Sequence, residues 1–172
     1  KKEITMQKLF TYAGSYKYLT IASWILSAAS ALIALLPFYY IWRIMQEVVL
    51  VAPDYSKAQN LSGLGWSAVG FALLSMIIYI CALLCSHIAA FHVQANMRST
   101  LMRHILTLPM GFMDSEGSGK IRKIVNESTA ATETYLAHQM PDKAGAMATP
   151  VGLLVLLVAF DWKLGLLSLV PV

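Results

Sequence analysis

The sequence has 172 residues, of which 58% are hydrophobic and 13% are charged, and its formal net charge is +4. Soluble domains carry about 25% charged residues, so this composition excludes an ordinary soluble domain. The few basic residues follow the pattern of membrane topology, which argues against nucleic-acid binding. Cys81 and Cys85 lie one helical turn apart in an apolar run, where packing is a commoner role than a disulfide or a metal site. The composition therefore predicts an all-α membrane protein.

The N-terminal segment, residues 1–15, mixes apolar and polar side chains and is predicted to form an amphipathic helix in the membrane interface. The first apolar run extends from Leu19 to Ile41 without a charge, which exceeds the roughly 20 residues needed to span the hydrocarbon core. We predict a first transmembrane helix over 18–50, with a kink at Pro37.

A polar loop at 52–62 separates the first apolar run from the second, which extends from Leu64 to Ala90 without an acidic or basic charge. No turn signal appears before Leu108, so a single helix is predicted over 62–108. Such a helix is about 70 Å long, whereas the hydrocarbon core takes about 30 Å. The remainder is therefore predicted to project into the cytosol.

Pro109 is predicted to end that helix, and residues 109–116 then form a short knuckle with apolar and acidic side chains. The segment 119–160 is predicted to be a cytosolic extension that continues into a third transmembrane helix, in which Pro150 is tolerated. Residues 163–172 begin a fourth apolar run that is too short to cross a bilayer as a helix. The chain is therefore expected to be the N-terminal fragment of a longer protein.

The distribution of basic residues predicts the orientation in the membrane. Lysines precede the first apolar run, and further lysines and arginines cluster around 98–123, whereas Lys57 stands alone in the loop after the first run. By the positive-inside rule, the N-terminus and residues 98–143 face the cytosol. We therefore expect a multi-pass protein of the cell membrane with a cytosolic N-terminus.

The segment 97–129, MRSTLMRHILTLPMGFMDSEGSGKIRKIVNEST, resembles the first intracellular loop of exporter-type ABC transporters. Both have a basic helix end, a leucine-rich stretch that closes on a proline, an aromatic and acidic knuckle, and a glycine shortly after it. The turn Asp161-Trp162-Lys163-Leu164 is also similar to the family's turn between its third and fourth helices. The order and spacing of these features extend the resemblance over the whole chain.

The resemblance implies an exporter-type transmembrane domain, residues 1–172, that pairs with a second transmembrane half as a homodimer or heterodimer. It implies a nucleotide-binding domain, holding ATP and Mg, that is absent from this segment. The protein would then move a small molecule, peptide, lipid or drug by alternating access. The family's coupling helix falls on Met110, Gly111, Phe112, Met113, Asp114 and Ser115. No P-loop pattern occurs, and no catalytic residues are expected in this segment.

Three alternatives accompany the exporter interpretation. Residues 126–150 resemble a subgroup of exporter-fold systems that handle iron-siderophores, some of which import them. A receptor hairpin with a cytosolic coiled coil would continue its heptads past Leu108, where Pro109 interrupts them. An intramembrane enzyme would need paired ionisable residues in the apolar runs, and His87 is the only such residue in the second run.

Five residues are candidates for a substrate cavity: Tyr39, Tyr40, Arg43, Met76 and Tyr79. Methionine adapts to varied ligands, although lipid contact and helix packing are the commoner roles of such side chains. A charge close to the apolar core is costly and usually faces protein or water. For Arg43 we therefore expect either an ion pair with Glu47, four residues on, or a contact with substrate.

The four histidines are not predicted to bind a metal. His87 and His92 are five apart, which puts them on different faces of a helix, and His104 lies more than three turns further on. His138 and Asp142 form an i, i+4 pair without a third ligand nearby. Packing and helix-end roles are expected for all four.

Overall fold

The computed structural model describes residues 11–54, 60–109, 111 and 117–168, and every element in these ranges is helical. After a 3₁₀ turn at Gly14–Tyr16, helix α1 spans Lys17–Ile33 and α2 spans Leu36–Leu50. Helix α3 spans Leu61–Leu106, α4 spans Ser118–Phe160 and the short α5 spans Trp162–Leu167. The predicted all-α fold is confirmed. Residues 1–10 of the predicted interfacial helix, and residues 110 and 112–116 of the predicted knuckle, lie outside the described residues.

Three helical stretches are long and apolar enough to cross a membrane: Thr11–Leu50, Leu61–Leu106 and Ser118–Phe160. Large apolar side chains along them are exposed, including Ile25, Trp66 and Val155. Water would penalise such a surface, whereas lipid tails cover it without cost. The chain is therefore a membrane protein.

Pro37 separates α1 from α2. Its ring nitrogen carries no hydrogen, so the carbonyl of Ile33 loses its regular helical partner. The chain turns at residues 34–35, where the N–H of Leu35 donates to the carbonyl of Leu32 at 3.1 Å, and α2 begins with Pro37 in its first turn. The kink predicted at Pro37 is thus confirmed, in the form of a break between two helices.

Helix α3 is continuous for 46 residues and ends three residues before Pro109. Its last turn tightens, because the N–H groups of Thr107 and Leu108 donate to carbonyls only three residues back, at 3.1 Å each. The residue before a proline disfavours helical geometry, which accounts for the position of this end. The predicted continuity beyond the apolar run is confirmed, and the share of α3 in the cytosol stays a prediction.

The chain divides into two compact units, with divisions after Trp24, Cys81 and Asp142. The first unit contains the described residues up to Trp24 together with residues 82–142, and the second contains residues 25–81 together with the described residues after Asp142. The core of the first unit is formed by small and medium apolar side chains: Ala13, Ala90, Val93, Leu136 and Ala137. In the second unit, small residues and serines lie where the helices touch, as is typical of helices in lipid.

Candidate functional site

A groove of about 530 Å³ lies in the second unit, between α1 and α2 on one side and the C-terminal half of α4 on the other. Ligand pockets commonly have volumes of about 300–1,000 Å³. The aliphatic walls are formed by Leu32, Leu35, Leu36, Val155 and Leu156. Arg43 is the only charged side chain among the described residues that line the groove, so we call it the Arg43 groove.

An aromatic cluster of Tyr39, Trp42 and Phe160 forms one end of the groove. The rings of Trp42 and Phe160 stack with centroids 4.4 Å apart and planes 19° apart. Tyr39 lies 6.1 Å from Phe160 and 5.9 Å from Trp42, measured between centroids. Such pairs contribute about 0.5–1.5 kcal/mol beyond the area they bury. The cluster therefore fixes α2 against α4 at this end.

Arg43 follows Trp42 on α2, and its side chain is exposed. Within the described stretch 11–54, no ion pair joins Arg43 to Glu47, so the expectation of such a pair is wrong. An exposed i, i+4 ion pair stabilises a helix by only about 0.2–0.5 kcal/mol. The pair is weaker when the basic residue precedes the acidic one, as Arg43 precedes Glu47. That gain is too small to hold two long side chains together. The guanidinium of Arg43 is therefore available to another partner.

The structure brings together two of the five residues predicted to form a substrate cavity. Tyr39 and Arg43 both line the groove. Tyr40 instead stacks on Phe71 of α3, with centroids 5.5 Å apart and planes 17° apart. Met76 and Tyr79 of α3 are exposed and are not among the described residues that line the groove. A role for these residues in binding substrate stays a prediction.

Gly152 sets how closely α4 approaches α1 beside the groove. A Cβ atom added there would lie 2.5 Å from Leu32 Cδ2 and 2.7 Å from Leu35 Cδ1. One at Gly145, two helical turns earlier, would lie 3.2 Å from Ser27 Oγ. Glycines on one face of a membrane helix allow this close approach. The wall formed by Leu32 and Leu35 therefore depends on Gly152.

The first unit holds a different arrangement, in which Ser86 of α3 bonds to the backbone of α4. The Ser86 hydroxyl lies 2.8 Å from the carbonyl oxygen of Leu136 and 2.9 Å from that of Ala137. Pro141 has no N–H to give to the carbonyl of Ala137, and Ser86 supplies the missing donor. Helix α4 makes a π turn here, at Tyr135–Gln139. We call this arrangement the Pro141 joint.

A second π turn of α4, at Ile124–Ser128, is also bonded to α3. Thr129 is fully buried just after this turn, and its hydroxyl donates to the carbonyl of Val125 at 2.6 Å. The same hydroxyl oxygen accepts a hydrogen bond from Arg98 Nε at 3.1 Å. Turns of this type disturb the regular backbone bonding and are frequent at functional sites. Here, as at the Pro141 joint, a side chain of α3 reaches the turn.

His87 of α3 lies between two polar residues of α4. Its Nδ1 is 4.0 Å from a carboxylate oxygen of Glu133, and its ring meets the edge of His138 with centroids 4.7 Å apart. In the part of the chain that the structure describes, no group of three histidine, cysteine, aspartate or glutamate side chains is arranged to hold a metal. His87 links α3 to α4 through these two contacts.

The start of the described chain is fixed to α3 by two contacts. The Tyr16 ring stacks on His92 with centroids 3.7 Å apart, and Asn96 Nδ2 donates to the carbonyl of Tyr12 at 2.8 Å. The turn between Tyr12 and Tyr16 is possible because Gly14 adopts a φ of +54°, which favours glycine. His92 is thus a packing residue.

The predicted coupling helix, residues 110–115, lies outside the described residues except for Gly111, which is exposed. Gly117, which follows this segment, has a φ of +73°. Helix α4 begins at the next residue, Ser118. The function of residues 110–115 stays a prediction.

Sequence reasoning did not identify Trp42, Phe160, Gly152 or Ser86 as site residues. Trp42 and Phe160 stand at the ends of two apolar runs, and that shared position is a signal that could have paired them. The spacing of Gly145 and Gly152 in one apolar run could have indicated a close helix contact. Nothing in the sequence around Ser86 indicates its partner on α4.

The sequence matches the family described as the ABC transporter transmembrane region over residues 19–172. The chain therefore belongs to this family, and the exporter-type resemblance of its loop at 97–129 agrees with that membership. Long apolar helices, with no strand in the part of the chain that the structure describes, are the fold of such a region.

Curated relatives share this region. The chain is 30% identical over 152 residues to the mycobactin import ATP-binding/permease protein IrtA of Mycobacterium tuberculosis, which is 88% of this chain and 17% of that protein. It is 28% identical over 152 residues to the IrtA proteins of Mycolicibacterium smegmatis and Mycolicibacterium thermoresistibile, again 88% of this chain, and 17% and 16% of those proteins. The chain thus spans about a sixth of the length of these relatives.

Proposed function

We propose that this chain is part of the transmembrane domain of an ATP-driven transporter that moves its cargo across the cell membrane by alternating access. The observation that carries the proposal is the family match over residues 19–172, which includes the membrane-length helices α3 and α4. ATP and Mg bind in a nucleotide-binding domain outside this segment, since the sequence has no P-loop pattern. A second transmembrane half completes the path.

The proposed mechanism uses the stiffness of the long helices. The stretches Leu61–Leu106 and Ser118–Phe160 have 46 and 43 residues, whereas about 20 suffice to cross the hydrocarbon core. Their excess length projects into the cytosol, and the coupling helix at residues 110–115 joins them. Closure of the nucleotide-binding domains on ATP is transmitted through this helix to the membrane path.

For the direction of transport, we favour import over export. The three relatives are named for the import of mycobactin, and they cover 88% of this chain. The resemblance of residues 126–150 to siderophore-handling systems points to the same class of cargo. Mycobactin is therefore the first cargo to test.

Transport by the full-length protein in lipid vesicles tests function and direction together. Molecules whose nucleotide-binding domains face outwards are activated selectively by ATP added outside. An importer then empties vesicles preloaded with iron-bound mycobactin, whereas an exporter fills empty ones. Loss of preloaded mycobactin only with ATP is the expected result. ATP-driven filling contradicts import, and a protein that hydrolyses no ATP contradicts the transporter proposal.

The proposed orientation places the N-terminus and residues 98–143 in the cytosol, because basic residues accumulate there. Single cysteines at Ser56 and Ser115, in a full-length protein without Cys81 and Cys85, report the two sides. A membrane-impermeant maleimide added to intact cells is expected to label position 56 and not position 115. The opposite pattern contradicts the orientation.

A further inference from the structure

Glu133 of α4 is an acidic side chain with little access to solvent. Its side chain is 17% exposed, and His87 Nδ1 of α3 lies 4.0 Å from one of its carboxylate oxygens. Acidic side chains are rarely shielded to this extent unless a charge of opposite sign pairs with them. A neutral imidazole supplies no such charge, whereas a protonated one does. The contact therefore calls for a proton on His87.

We propose that His87 and Glu133 form a proton-binding site that holds one proton between α3 and α4. The proton resides on the imidazole, because histidine is more basic than a carboxylate. The side chain of His87 is 32% exposed, so water can deliver and remove the proton. With the proton bound, the contact is an ion pair that holds α3 to α4. Without the proton, the shielded carboxylate lacks this partner, and the hold is weaker.

His138 limits the site to one proton. Its ring meets the His87 ring edge to face, with centroids 4.7 Å apart and planes 81° apart. Two protonated imidazoles at this distance repel each other, so a proton on one disfavours a proton on the other. The carboxylate that faces His87 decides which of the two rings carries the charge.

Neighbouring turns of the first unit carry further titratable groups. On α1, α3 and α4 these are Lys17, Tyr18, Cys85, His92, Tyr135 and Asp142. The ammonium of Lys17 lies over the Tyr18 ring, 5.2 Å from its centroid, and His92 stacks on Tyr16. No lysine or arginine among the described residues lies within ion-pair distance of Glu133. The proton on His87 is therefore the positive charge that the described structure offers to this carboxylate.

A double-mutant cycle on the full-length protein tests the site at two pH values. The variants are His87→Gln, Glu133→Gln and the double variant, measured at about pH 6 and about pH 8.5, on either side of the range in which histidine titrates. The readout is hydrogen exchange of the amides at Tyr135–Gln139, corrected for the intrinsic effect of pH on exchange. No nucleotide is added, so failure of this test and failure of ATP-driven transport are distinguishable.

The sign of the expected effect reverses with pH. At about pH 6 the ion pair is present, so either single substitution is expected to speed exchange by about fivefold. The double variant is expected to be no worse than a single one, because the pair is already broken. At about pH 8.5 the imidazole is neutral. Glu133→Gln then removes an uncompensated carboxylate and is expected to slow exchange relative to the wild type.

Two other histidines provide the controls. His104→Gln changes an exposed histidine of the same helix and is expected to leave exchange unchanged at both pH values. His138→Gln is expected to preserve the pH-dependent coupling between positions 87 and 133. Equal coupling at both pH values would show a packing contact without a proton and would overturn the proposal. Loss of the coupling in His138→Gln would place the proton on that ring and would equally overturn it.

Discussion

At the Pro141 joint, the carbonyl that the proline frees meets the hydroxyl of Ser86, whereas at the Arg43 groove the guanidinium meets no acidic side chain among the described residues. Both sites place a polar group in a largely apolar helix, where an unmet group is costly. In the first unit the protein itself supplies the partner, and this hydrogen bond holds two helices together. In the second unit no acidic side chain among the described residues removes this cost. The two sites therefore differ in whether another side chain of the protein meets the polar group.

The side chains around the two sites also differ in size. The core beside the Pro141 joint contains Ala90, Val93 and Ala137, which let the helix backbones approach closely. The Arg43 groove is bounded mostly by large side chains, Leu32 and Trp42 among them, and the helices approach closely beside it only at glycines such as Gly152. Substitutions at the two sites should therefore have different consequences.

The largest effect is expected from filling the groove. In Gly152→Leu the new side chain enters the space of Leu32 and Leu35, and overpacking of this kind costs about 1–3 kcal/mol. The matched control is Gly70→Leu, because a Cβ at Gly70 meets nothing within 4 Å. Thermal unfolding of the full-length protein is expected to shift down only for Gly152→Leu. Equal shifts would show that Gly152 has no special place in the packing.

An intermediate effect is expected at the Pro141 joint. Ser86→Ala removes the donor to the carbonyl of Ala137, and the expected loss of stability is about 1 kcal/mol. Hydrogen exchange of the amides at Tyr135–Gln139 should become faster, since the π turn loses its contact with α3. Ser67→Ala is the control, because that hydroxyl bonds back within its own helix. Unchanged exchange at Tyr135–Gln139 would contradict a stabilising role for Ser86.

The smallest effect is expected for a polar pair on the surface. Lys123 Nζ lies 3.8 Å from a carboxylate oxygen of Glu127, and the two side chains are 70% and 68% exposed. Exposed pairs contribute little, so Glu127→Gln should leave thermal unfolding unchanged. A loss of stability as large as that of Ser86→Ala would mean that an exposed ion pair stabilises this chain as much as a buried hydrogen bond does.

Local signals predicted much of the fold. The break at Pro37, the continuity of α3 over Leu61–Leu106 and its end before Pro109 follow from hydrophobic runs and from the missing N–H of proline. The π turns of α4 have no comparable local signal, because they depend on partners in α3 such as Ser86 and Arg98.

The candidate site was predicted less completely. Tyr39 and Arg43 were selected for their chemistry, and both line the groove. The predicted ion pair between Arg43 and Glu47 was wrong, because i, i+4 spacing brings two side chains close but stabilises their contact only weakly. The stacking of Trp42 on Phe160 depends on the register of α2 against α4, which the sequence alone does not specify. Spacing thus identifies the helices, and tertiary register decides which side chains meet.

We propose that residues 110–115 transmit ATP-driven closure to the membrane helices, and Phe112→Ala in the full-length protein tests this role most directly. Aromatic anchors dominate docking pockets, so the expected loss at the contact is about 2 kcal/mol. In reconstituted vesicles, Phe112→Ala should lose transport while ATP hydrolysis and membrane insertion remain. Asp114→Asn should have a smaller effect, as a charge at a wet rim contributes little. Unchanged transport in Phe112→Ala, with ATP hydrolysis still coupled to it, would contradict the claim.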